Sequence, residues 1–119
     1  MMKRSHEDYL SDIVINIARI EDFIKGMSLK KFSSDEKTSY AVVRALEIIG
    51  EAVKNLPDSI KAKYSDVPWK QMAGMRDRLS HAYFGVKIDV VWETITIEIP
   101  KLKPALTKIL DTYGKKKGH

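Results

Sequence analysis

Cysteine is absent from the 119 residues, which removes disulfides, thiolate nucleophiles and sulfur-ligated metals at once. Histidine is almost as scarce. There are three, and His6 and His119 stand near the two ends, a scatter that does not suit a preformed zinc site. No metal or cofactor is therefore expected. No apolar run approaches the roughly 18 residues that a membrane span requires, and the basic start is not followed by a continuous apolar stretch. The expectation is a cytoplasmic protein with no membrane partner.

What is present fits a single soluble domain. Hydrophobic residues make up 44% of the chain, and 21 Lys and Arg stand against 16 Asp and Glu, too apolar and too balanced for a disordered chain. At this length one core is affordable, and a helical protein of this size gains security as an oligomer. The formal charge of +5 favours an anionic partner such as RNA. Part of that excess is the Lys115-Lys116-Lys117 run, whose attraction for nucleic acid would be generic and salt-dependent. Residues 1–113 read as the domain and 114–119 as a flexible lysine-rich tail.

The apolar residues recur at helical spacing. Leu10, Ile13, Val14, Ile17, Ile20 and Ile24 mark a helix over residues 5–25 that Gly26 can terminate, with Asp12, Asn16 and Arg19 on the opposite face. A second helix is predicted to begin at Ser33 or Ser34, since Ser33 and Glu36 have capping-box spacing. It runs through Val42, Ala45, Leu46, Ile49 and Val53 to Leu56, where Pro57 stops it. Residues 58–64 read as a short helix or turn. Pro68 suits the first turn of a further helix presenting Trp69, Met72, Ala73, Met75 and Leu79, with Trp69 most simply a buried anchor. Thr94 to Ile99 alternates as a strand would. Yet Val91, Ile95, Ile99, Leu102, Leu106 and Ile109 continue one helical stripe, and a lone strand would have no mate. The fold expected is all-α: an antiparallel bundle of four to five helices, the last kinked near Pro100, assembled as a homodimer.

One segment gathers reactive groups, Met75-Arg76-Asp77-Arg78-Leu79-Ser80-His81-Ala82-Tyr83-Phe84-Gly85-Val86. His81 is the only histidine inside a patterned region. Arg76 can make two charge-assisted hydrogen bonds to a phosphate while remaining protonated, and so can stabilise charge developing on nonbridging oxygens. His81 can activate a ribose 2′-hydroxyl or protonate a leaving oxygen, and two symmetry-related histidines could divide those tasks. Asp77 stands four residues before His81, the spacing at which helical side chains meet, and can fix the imidazole tautomer. Arg78 can contact RNA or an opposite subunit. Tyr83 can stack on a base, bond a phosphate or present its phenol for modification. Gly85 permits the turn into the last helix.

Arg76 and His81 pose a geometric problem. At about 100° per residue, positions five apart on a helix diverge by about 140°. A shared site needs the backbone to leave helical geometry near Ser80, or a second subunit to bring the same segment across a two-fold axis.

Arg76, four intervening residues and His81, followed by Ala82-Tyr83, resemble the signature of the HEPN superfamily and specifically of the HepT-like ribonuclease toxins. Phe84-Gly85-Val86, Val91-Trp92 and Ile99-Pro100-Lys101-Leu102 are similar to the same family, and the likeness covers about residues 5–112. The resemblance implies a homodimeric, metal-independent endoribonuclease, the toxin of a toxin-antitoxin pair, whose motifs meet in a cleft between subunits. It implies Arg76 and His81 as catalytic residues, Asp77 and Arg78 in support, and Tyr83 as the acceptor of adenylyl groups from a minimal nucleotidyltransferase antitoxin. Asp77 stands where the family often has asparagine, and Lys87 where it often has an acid. A reading from another class is a noncatalytic dimer that binds nucleotide or serves as scaffold for the nucleotidyltransferase.

Overall fold

The computed structural model describes residues 4–82 and 87–117, with stretches 76–82 and 115–117 given by backbone alone. Helix α1 spans His6–Phe23, α2 Leu29–Ser34, α3 Glu36–Lys54, α4 Asp58–Lys63 and α5 Trp69–Ala82. The last rod is α6 (Ile88–Glu93), a π-turn over Thr94–Glu98, and α7 (Ile99–Lys117) without a break between them. The described residues form an all-α bundle with no strand.

Local chemistry accounts for most helix ends. Ser5 opens α1 with a reciprocal capping box: its Oγ accepts from the Asp8 amide at 3.2 Å, while Asp8 Oδ2 accepts from the Ser5 amide at 2.8 Å. Gly26, at φ +77°, supplies the left-handed residue that turns the chain away from α1. The start expected at Ser33 or Ser34 is corrected. Both serines close the short α2, where Ser33 Oγ donates to the Leu29 carbonyl and Ser34 Oγ to that of Lys31. Asp35 caps α3 instead, its Oδ1 accepting from the Thr38 amide at 3.0 Å. That backbone bond, helped by the Thr38 hydroxyl, holds the Asp35 carboxyl below its ordinary value.

The core is built from the predicted stripes. Leu10, Ile13, Ile17 and Ile20 of α1 and Val42, Leu46, Ile49 and Val53 of α3 are fully inaccessible, and each such side chain contributes about 1.5–3 kcal/mol by leaving water. Helix α3 packs against both α1 and α5, and α7 closes the bundle on α1. Lys103 of α7 bonds Glu21 late in α1 at 2.6 Å, while Gly114 lies beside Glu7 at its start, so the two helices run antiparallel. Phe32 is also fully buried and meets Trp92 with ring centroids 5.2 Å apart, tying α2 to α6.

The alternating segment is helical for identifiable reasons. Ile95 and Ile99 are buried while Ile97 is exposed, the pattern of a helix face rather than of a strand face. Thr94 and Thr96 satisfy their hydroxyls by donating to the Val90 and Trp92 carbonyls one turn back, at 2.9 and 2.7 Å. Val91, Ile95 and Ile99 are spaced by fours, a step that overshoots an α-turn by about 40°. The wider π-turn takes up that drift. Its last bond runs from the Ile99 amide to the Thr94 carbonyl, directly before Pro100, whose missing N–H lets the register change without losing a donor. Helix α7 then continues through Pro104 and Gly114 to Lys117, so the expected boundary at residue 113 falls within it.

Candidate active site

The motif helix is placed by its first turn. Pro68 precedes α5 and its carbonyl accepts from the Met72 amide at 3.0 Å. Trp69 is the anchor expected: it is 7% exposed, and its Nε1–H donates to the Tyr64 carbonyl at 3.0 Å. Met72 and Met75 are buried on the same face, which turns toward the core and α3. Positions 69, 72 and 76 recur at helical spacing, and position 81 stands well away from that register.

The backbone remains α-helical from Trp69 through Ala82. The geometric question posed by the sequence therefore has an answer at the level of the single chain. Positions 76 and 81 lie about 140° apart around one unbroken helix and about 7.5 Å apart along it. One protomer's helix sets positions 76 and 81 on different faces. It places Asp77 and His81 one turn apart on the same face. Arg78 follows on a different bearing again. Tyr83, with Phe84, Gly85 and Val86, lies outside the described residues.

Two concavities open in the bundle, one of them against α5. A groove of about 440 Å³ runs beside the start of α5, where Met72 and Met75 meet Val90 and Leu102 beneath a rim that includes Glu93, Glu98 and Lys101. A larger cleft of about 600 Å³ opens between α1 and α3 and contains Asn16, Arg19 and Arg44. Sequence reasoning assigned Asn16 to the outer polar face. It is instead 3% exposed, because its Nδ2 donates to the Asp12 carbonyl at 2.8 Å and lets the side chain lie down in the cleft. Arg44 was not singled out at all. Its association with Arg19 depends on how α1 and α3 pack, which no local pattern announces.

A family model described as ribonuclease HepT-like matches residues 13–109, a span containing the whole of Arg76 to Tyr83. The probable ribonuclease HepT of Thermococcus cleftensis is 51% identical over 108 residues, covering 91% of this chain and 98% of that one. A candidate RNase of Methanocaldococcus jannaschii is 47% identical over 116 residues, covering 97% and 96%. One of Caldanaerobacter subterraneus is 49% identical over 102 residues, covering 86% and 91%. No solved structure matches the chain. A likeness that runs almost end to end through the bundle, with the arginine-histidine helix at its centre, makes this chain a member of the HepT-like ribonuclease family.

Proposed function

We propose that the protein is a metal-independent RNA endonuclease that works as a homodimer, each site pairing His81 of one protomer with Arg76 of the other. The observation that supports this reading is the uninterrupted helix from Trp69 to Ala82, which sets the two positions on different faces, as joining them across a two-fold axis would require. His81 takes the proton of a ribose 2′-hydroxyl. The 2′-oxygen attacks the adjacent phosphorus, the bond to the 5′-oxygen breaks, and that oxygen takes a proton from water. The products end in a 2′,3′-cyclic phosphate and a 5′-hydroxyl. Arg76 of the partner subunit bonds the nonbridging oxygens as their charge grows. Asp77, one turn before His81, orients the ring and balances the positive charge that the imidazole gains on taking the proton.

The same reading makes the protein the toxin of a toxin-antitoxin pair acting in the cytoplasm. A minimal nucleotidyltransferase partner transfers the adenylyl group of ATP to the Tyr83 phenol oxygen, releasing pyrophosphate and the phenolic proton and adding bulk and a phosphate charge beside a cleft that must admit an anion. Among the described residues no helix is long and apolar enough to cross a membrane. The test is an RNA strand carrying one 2′-deoxyribose at a mapped cleavage position. Cleavage there should vanish while other positions are still cut, and undiminished cutting at the substituted position overturns the 2′-hydroxyl mechanism.

A further inference from the structure

We propose that the cleft between α1 and α3 is a nucleotide subsite that holds single-stranded RNA away from the cleaving residues, an inference that rests on RNA being the substrate. The cleft has about 600 Å³, within the range in which proteins seat nucleotide-sized ligands. Helix α1 lines one wall. Helix α3 forms the other wall of the cleft and also supports the motif helix α5.

Charge pairing in the cleft is uneven. At one end Arg4 bonds Asp12 at 2.7 Å and lies over the Tyr9 ring at 5.1 Å, so that cation and that acid are spent on each other. Glu51 has a partner of its own. Arg19 and Arg44 are exposed, and neither has a hydrogen-bond or ion-pair partner among the described residues. Two fixed cations from different helices thus face one cavity, opposed by the half-buried Glu47. Guanidinium forks suit a phosphate because they bond it at two points and never lose charge.

The floor supplies the second feature. Asn16 is nine-tenths buried or more, and its Nδ2 is committed to the Asp12 carbonyl. Its Oδ1 has no hydrogen-bond partner among the described residues and stays open to solvent, so it is free to accept from a ligand in the cavity that Asn16 lines. A nucleotide satisfies all of these at once: its phosphate lies between Arg19 and Arg44, and a donor on its base edge meets Asn16 Oδ1. The subsite sets affinity and sequence preference for RNA long enough to reach it, and takes no part in bond cleavage.

The experiment compares binding of two uncleavable 2′-O-methyl RNA strands, one spanning only the scissile position and one extending beyond it, to the parent and to the Arg19→Gln/Arg44→Gln double variant. Both arginines are exposed, so the variant should melt as the parent does. For the long strand, affinity should fall about tenfold, and the salt dependence should flatten by about 0.7 for each phosphate that no longer meets a guanidinium. Binding of the short strand should not change. Unchanged affinity and slope for the long strand, or an equal loss on both strands, overturns the subsite. Failure of the parent to bind RNA overturns it as well. Cleavage by the parent together with an unaltered double variant sinks the subsite and leaves the nuclease standing. Arginine-dependent binding of the long strand without cleavage of any natural RNA does the reverse.

Discussion

Pairing Arg76 and His81 across a two-fold axis makes mixed dimers behave in a way that no arrangement within one chain can imitate. The two positions sit on an α-helix unbroken from Trp69 to Ala82, about 140° and 7.5 Å apart. Each site then takes its arginine from one subunit and its histidine from the other. A dimer of one Arg76→Ala subunit with one His81→Ala subunit has lost both groups from one site and none from the other. Purified with two different tags, it should cleave RNA at about half the parental rate per dimer. Each homodimeric single variant should fall at least about a hundredfold. The reciprocal mixture, one parental subunit with one Arg76→Ala/His81→Ala subunit, should be as inactive as the homodimeric variants, because each of its sites lacks one group. Rates come from a fluorophore-quencher RNA followed at saturating and subsaturating concentration. If the mixed single variants are inactive and the parental-double mixture keeps half its rate, the site lies within one chain and the reasoning from helix geometry is refuted.

Two further perturbations bear on the scaffold and on control. Phe32→Ala removes a fully buried ring packed on Trp92 and should cost about 3–5 kcal/mol in denaturant unfolding; a loss under about 1 kcal/mol would mean that α2 is not anchored through that pair. Tyr83→Phe should retain nuclease activity and gain no mass when incubated with the nucleotidyltransferase and ATP, whereas the parent should gain one adenylyl group and lose activity. Adenylylation of the Phe variant would place the acceptor elsewhere.

The helices were legible wherever an apolar stripe met a single breaker. Ile13, Ile17 and Ile20 mark one face, Gly26 ends the run, and the helix closes at Phe23. The last rod was legible because Val91, Ile95 and Ile99 outweighed the Thr-Ile alternation. What the residues did not reveal is the π-turn that keeps those fours in line, since it answers to packing on the core and to Pro100. The start of α3 was misplaced because Ser33, Asp35 and Glu36 all carry capping chemistry within one turn. The α2 turn that uses Ser33 internally decides between them. At the site, the spacing of Arg76, Asp77 and His81 gave both the candidate chemistry and the divergence that a single helix imposes. Arg19, Arg44 and Asn16 belong to a feature assembled from two helices, and a buried asparagine reads in sequence like any residue of a polar face.

The central claim is that Arg76 and His81 cut RNA without a metal ion. It is tested most directly by incubating the unmodified protein, its mass verified, with total RNA and defined tRNAs in excess chelator, beside Arg76→Ala and His81→Ala. Cleavage by the parent alone is the predicted result. RNA left intact by all three, or cut equally by all three, would contradict it, and intact RNA would turn the family likeness toward a dimer that binds nucleotide or scaffolds its partner.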